Sequence, residues 1–171
     1  MQASRPGIRS SSIDHSERPC PIGRAGALLG DHWTLLILRD ATAGTARFAA
    51  FRDNLGIADN ILSERLRRLV GAGVLVKVPY RDGNRTRHEY RLTRAGADLL
   101  PLMHALADWG NHYTKPARKT APMRMLHVRC EGEIDTARVC SRCGQIVARE
   151  DEVWLRPWRS EEPTPLAMPV S

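Results

Sequence analysis

The chain has 171 residues, a formal net charge of +7 at neutral pH and a pI near 9.8, with 42% hydrophobic and 26% charged residues. These proportions fit a soluble globular protein of one domain plus a small appendage and exclude wholesale disorder. No apolar run reaches the roughly 18 residues of a membrane-spanning helix, and the N-terminus lacks the apolar core of a secretory leader. A cytoplasmic protein is expected.

Residues 1–19 are rich in Ser, Arg and Pro and read as a flexible arm. Pro21 then opens a helical pattern through Ile22, Ala25, Leu28 and Leu29 that stops at Gly30, with Pro and Gly at the ends they favour. Asp31 suits the N-cap of a second helix carrying Trp33, Leu36 and Ile37. A short third helix bears Phe48, Phe51 and Leu55 and ends at Gly56. A fourth places Leu62, Leu66 and Leu69 at steps of four and three.

The period then shortens. Val74, Val76 and Val78 alternate with Leu75 and Lys77, and His88, Tyr90 and Leu92 alternate with Arg87, Glu89 and Arg91. Between them, residues 81–85 have strong turn chemistry, so the pair is a hairpin. Thr93 caps a long last helix with Leu99, Leu100, Met103, Leu106, Trp109 and Tyr113. Residues 114–125 read as a linker, 126–156 as a small segment around three cysteines, and 157–171 as a disordered tail.

Four helices, a basic hairpin and a helix, in that order, predict an α+β, mainly α fold: a winged helix-turn-helix. Residues 59–91 hold eight Lys/Arg and four Asp/Glu, more than half of the net positive charge. On the fourth helix, residues 58–72, the leucines face the core. Asn60, Glu64, Arg67 and Arg68 lie opposite, with Ser63 on the flank and Arg65 beside them. Such a face suits the major groove, where Asn can read adenine, Arg guanine and Glu cytosine. In the wing, residues 79–88, Arg81, Arg85 and Arg87 can reach a minor groove or a phosphate. Taken singly, each element also fits an ordinary amphipathic helix or a solvated hairpin.

Cys20-Pro21-Ile22, the run from Gly30 to Arg39, Phe48 and Phe51, Leu55-Gly56-Ile57-Ala58, Asn60-Ile61-Leu62-Ser63, Gly73-Val74-Leu75 and His88 to Thr93 resemble the HxlR-type winged helix-turn-helix regulators, a MarR-like group. The resemblance spans Cys20 to Tyr113. It implies a bacterial homodimeric transcription factor, often a repressor, whose last helix and N-terminal segment form the dimer interface. A palindromic operator would follow from the twofold symmetry. A departure is Ala58, where the family often has an N-cap residue; Asp59 is expected to take over the capping.

His127-x2-Cys130 and Cys140-x2-Cys143 form two ligand pairs nine residues apart, with Gly132 and Gly144 placed for tight turns. Together they supply the four N and S donors of a tetrahedral structural zinc, whose binding energy would offset the small core of such a segment. A zinc-ribbon-like extension is expected, and the resemblance implies similar tails in one branch of the family. A redox-active Cys140/Cys143 pair, or three free thiols, is the alternative. Cys20 precedes a helix start, and Arg18 and Arg24 are near it in sequence. That setting favours a thiolate able to sense oxidants or electrophiles, as the resemblance implies for some members. A small apolar residue filling the dimer interface is the other reading.

The expected function is therefore a sequence-specific regulator of transcription that responds to oxidants or a small-molecule effector. A thiol-disulfide protein and a protein-interaction adaptor without DNA binding are the rivals. No nucleophile–base–orienter set or Gly-rich phosphate loop points to an enzyme.

Overall fold

Cys20 starts the first helix, α1 (Pro21–Leu29), with its Sγ accepting from the Gly23 N–H at 3.4 Å and Pro at the first turn. The computed structural model describes residues 19–116 and 120–170, so the expected arm, apart from its last residue, lies outside the described residues. Asp31 caps α2 (His32–Thr42) by accepting from the Thr34 N–H, and α3 (Phe48–Leu55) closes on Gly56 at φ 61°, a left-handed conformation that Gly adopts without a Cβ penalty. α4 (Asp59–Gly71) follows. Its N-cap, Ala58, makes no side-chain cap bond, and Asp59 lies inside the first turn, so Asp59 supports the helix dipole without capping it.

Leu62, Leu66 and Leu69 are fully buried, as the four-and-three spacing predicts, against Ile37, Leu38 and Phe51. Each such leucine contributes about 1.5–3 kcal/mol by leaving water. Strands β1 (Leu75–Asp82) and β2 (Arg85–Leu92) pair antiparallel from Leu75 opposite Leu92 out to Asp82 opposite Arg85. The two-residue turn has Gly83 at φ 59° in its first central position, the type II′ pattern. A bridge between Arg47 and Glu89 ties the hairpin to the start of α3.

The expected long last helix is two helices, α5 (Arg94–Ala97) and α6 (Leu100–Tyr113). Pro101 explains the break, because it has no N–H to give to the carbonyl of Ala97 four residues earlier. That carbonyl instead accepts from Arg149 Nη1 at 3.1 Å, a residue of the C-terminal extension.

The extension is an antiparallel sheet in the order β3 (Arg124–His127), β4 (Glu152–Arg156) and β5 (Ser160–Pro165). The alternation of β4 buries Glu152, Trp154 and Arg156 together. Arg156 Nη1 reaches Asp40 of α2 at 3.4 Å, and Glu152 meets His104 of α6. The extension is therefore docked on the winged helix. The expected linker is also partly ordered: Asn111 Nδ2 donates to the Met123 carbonyl at 2.8 Å, and β3 begins within it. Residues 117–119 lie outside the described ones.

The reading of 157–171 as a disordered tail is corrected. Residues 160–165 form β5, Leu166 is buried, the Ala167 N–H donates to the Thr42 carbonyl at 2.8 Å, and the Val170 N–H to the Leu92 carbonyl at 2.9 Å. Its polar, Pro-rich sequence hides these partners because backbone groups make the docking bonds. No helix among the described residues is long and apolar enough to cross a membrane.

Candidate nucleic-acid interface and metal centre

On α4, Asn60, Ser63 and Arg67 are exposed and Glu64 is half-buried, so these four share an open face. Arg67 Nη2 donates to Glu64 Oε1 at 2.8 Å and its Nε to Oε2 at 3.1 Å, a two-pronged pair one turn apart on the exposed face. Arg65 and Arg68 point elsewhere. Arg65 Nε donates to Asp31 Oδ1 at 3.0 Å, and Arg68 Nη2 to the Ala27 carbonyl at 2.8 Å in the last turn of α1. Both fix α4 against α1 and α2. Burial raises the Asp31 carboxyl's pKa, but hydrogen bonds from Thr34 and Arg65 outweigh it and leave it below the usual range.

The wing presents Arg81, Arg85 and Arg87, all exposed, with Arg87 Nε 2.7 Å from Asp82 across the tip. At its base, Glu89 accepts from Arg91 at 2.7 Å and from Arg47 at 3.2 Å, and these arginines lower its carboxyl below the usual range. The Arg47 guanidinium also lies 4.7 Å from the Tyr80 ring centre. Glu89 thus links the wing to the first residue before α3.

His127, Cys130, Cys140 and Cys143 converge, with their donor atoms all within 4.8 Å of one another. His127 Nδ1 is 3.3 Å from Cys130 Sγ and 3.4 Å from Cys143 Sγ, and Cys130 Sγ is 3.4 Å from Cys140 Sγ. A tetrahedral ion with Zn–S and Zn–N bonds of usual length needs edges of about 3.5–3.8 Å, so small shifts of the four donors would fit it. Each knuckle closes on a backbone bond: Glu131 N–H to the His127 carbonyl at 2.7 Å, and Gly144 N–H to the Cys140 carbonyl at 2.9 Å. Glu131 at φ 58° and Gly144 at φ 71° take the left-handed turns. Gly132 serves another purpose than the expected turn: a Cβ there would stand 2.5 Å from Cys140 Sγ. Burial raises the Cys140 thiol, but the backbone N–H groups of Cys143 and Arg142, followed by His127 and Cys130, bring it down to about 6. The N–H donors are set for sulfur in its anionic, metal-binding form.

Cys20 is exposed, and Arg24 Nη1 donates to the Pro19 carbonyl at 2.7 Å. Arg18 lies outside the described residues. On α6, Leu100 and Met103 join the core, whereas Leu102, Leu106, Trp109 and Tyr113 are exposed, as is Ile22 of α1. The apolar surface expected on the last helix is thus divided between core and exterior.

Sequence reading missed the buried polar seam of His104, Glu152, Asp40 and Arg156, none more than 7% exposed. The alternation Glu152-Val153-Trp154-Leu155-Arg156 was its only signal, and two charged residues on the buried face obscured it.

The HxlR-like helix-turn-helix family model matches residues 28–118, somewhat over half of the chain. The HTH-type transcriptional regulator Rv3095 of Mycobacterium tuberculosis (strain ATCC 25618 / H37Rv) is 42% identical over 140 residues, covering 81% of this chain and 87% of that one. That alignment is longer than the family match and so reaches into the extension. The crystal structure of PA1607, a candidate transcription factor, is 38% identical with a TM-score of 0.64, covering 80% of this chain and 94% of that one. The redox regulator HypR in its oxidized form is 26% identical with a TM-score of 0.52, covering 57% of this chain and all of that one. With its helix-turn-helix, wing and these likenesses, the chain belongs to the HxlR-like helix-turn-helix family.

Proposed function

We propose that the protein is a cytoplasmic, sequence-specific DNA-binding regulator, a homodimeric repressor acting by binding and not by catalysis. The observation that carries this reading is the open face of Asn60, Ser63, Glu64 and Arg67 on α4 in the same fold as a wing bearing three exposed arginines. In this account α4 enters the major groove, and Arg81, Arg85 and Arg87 contact the minor groove or phosphates. Arg65 and Arg68 orient α4 from behind. Leu102, Leu106, Trp109 and Tyr113 of α6, with Ile22, supply the apolar face for a second copy of the chain, and the recognition helices then address a palindromic operator. Mapping the sites bound across the source genome tests the reading: a shared palindromic motif is expected, and binding without one would contradict it.

Zinc is the metal whose chemistry the donors fit: one imidazole nitrogen and three thiolates. It would supply the four bonds that hold the two knuckles and so complete the extension. This favours a structural metal over the Cys140/Cys143 redox pair. Cys20, exposed at a helix start, is the thiol suited to sensing oxidants or electrophiles, and the similar HypR is a redox regulator.

A further inference from the structure

Where α5 gives way to α6, the extension leaves a cavity of about 350 Å³ lined by Arg94, Arg138 and Arg149. The three come from separate parts of the chain: α5, the approach to the second knuckle, and the short turn before β4. Leu100 and Pro101 of α6 and Met168 of the C-terminal segment add apolar wall.

Two of these guanidiniums are poorly balanced. Arg94 is paired, its Nε 3.1 Å from Asp98 Oδ1. Arg149 is half-buried and donates only to neutral carbonyls, from Nε to Ala167 at 2.7 Å and from Nη1 to Ala97 at 3.1 Å. It forms no ion pair among the described residues, and its Nη2 is buried without a partner. Arg138 Nη2 donates to the Val147 carbonyl and stands 3.8 Å from Glu152 Oε2, while its Nε is buried without a partner. Burial lowers the Arg149 pKa, and the Arg138 charge adds to the lowering against the pull of Glu152 and Asp98. The two cations are thus within reach of each other's field.

The backbone singles out Arg138 as well. It sits at φ 65°, a left-handed conformation that a glycine would take without strain. What an arginine adds at that turn is its guanidinium. A buried cation without a close counter-ion costs stability, and an anion beside it restores the balance.

We propose that this cavity holds a phosphate-type oxyanion that bridges Arg138 and Arg149 and completes the joint between the α5–α6 break and the extension. Donors on two separate guanidiniums suit the tetrahedral oxygens of a phosphate better than the flat pair of a carboxylate. The anion would draw both guanidiniums a short way into the space that they line. Beyond the phosphate, the apolar wall has room for the body of a phosphate monoester, so free and esterified phosphate share this chemistry. Glu150, exposed in the same lining, opposes the anion. Arg149 holds Ala167, and the Val170 N–H three residues later donates to the Leu92 carbonyl at the base of the wing. A filled site should therefore steady the C-terminal segment.

The test titrates the full chain with inorganic phosphate, propyl phosphate and butyrate by calorimetry, in physiological chloride to screen exposed arginines. Phosphate should bind saturably and butyrate about tenfold more weakly. Propyl phosphate binding more tightly than phosphate would assign the site to an ester, and the reverse order to the free ion. Arg149→Gln and Arg138→Gln should each weaken phosphate about tenfold, and Glu150→Gln, at an exposed position, should strengthen it about threefold. No saturable phosphate binding, equal binding of butyrate, or wild-type binding by folded Arg149→Gln or by Glu150→Gln would overturn the site. If Arg149→Gln does not fold, Arg138→Gln and Glu150→Gln decide. Hydrogen exchange at Ala167 and Val170 should slow with phosphate in the wild type. Phosphate also stabilises folded proteins by exclusion from their surface, so the slowing must vanish in Arg149→Gln. Unchanged exchange with phosphate bound would overturn its role in the joint.

Discussion

His104 Nε2 of α6 lies 2.6 Å from Glu152 Oε1 of β4, and both side chains are fully buried. The same oxygen accepts from Trp154 Nε1 at 2.7 Å, and Arg138 Nη2 stands 3.8 Å from Oε2. This pair joins the helix expected to carry the dimer face to the sheet whose first strand, β3, ends at His127 of the Cys/His cluster. Removing the carboxylate would leave a buried imidazole, an indole N–H and nearby arginines uncompensated. Glu152→Ala should cost about 3–5 kcal/mol of stability in urea unfolding, the range for breaking a buried pair. Glu152→Gln keeps an acceptor oxygen and should cost less. A loss within a few tenths of a kcal/mol for Glu152→Ala would show that the seam is not a structural link.

The knuckle geometry predicts about one zinc per chain by metal analysis, lost in Cys140→Ser and in Cys143→Ser. Gly132→Ala is the sharper probe because it removes no ligand atom. Its new methyl would stand 2.5 Å from Cys140 Sγ and 2.6 Å from Arg142 Cβ, so zinc should bind more weakly and be removed by milder chelation. Zinc-free wild type with a reversible Cys140–Cys143 disulfide would favour redox chemistry instead.

Glu89 gives a pH dependence. Its folded carboxyl is held below the ordinary value of 4.5 by Arg91, and further by Arg47. A depressed acid contributes stability that is present above the ordinary value and lost as pH falls through the folded one. Wing protection in hydrogen exchange should therefore weaken at acid pH in the wild type and show less of this change in Glu89→Gln. Identical acid profiles would separate Glu89 from wing anchoring.

The helix-turn-helix and wing were legible because their apolar residues recur at clean helical and strand periods, from Leu62, Leu66 and Leu69 to the β1–β2 hairpin. The grouping of His127, Cys130, Cys140 and Cys143 was legible from spacing alone. What escaped was tertiary. No local pattern distinguishes Arg65 and Arg68, turned onto Asp31 and Ala27, from Arg67, which stays exposed on the same short helix. Nor does a Pro-rich C-terminus announce backbone bonds to Thr42 and Leu92.

Cys20 offers a chemical test of regulation. Alkylation of this exposed thiol by a quinone adds bulk beside Ile22, within the expected dimer face. Recognition helices in a twofold complex tolerate little change in spacing, so DNA release should follow, and Cys20→Ala should bind DNA yet lose the response. Zinc release must be followed in parallel. An equal response from both proteins would move sensing away from Cys20.

The central claim is that α4 reads bases while the wing holds the backbone. Titrating cognate operator and random DNA at several salt concentrations tests it most directly. Arg67→Ala should lose about 1–3 kcal/mol on the operator and little on random DNA, the cost of one base-reading contact. Arg85→Ala should weaken both alike and flatten the salt dependence by about one phosphate contact. Arg65→Ala should mainly lower stability. Operator binding indistinguishable from wild type in both Arg67→Ala and Arg85→Ala would contradict the account.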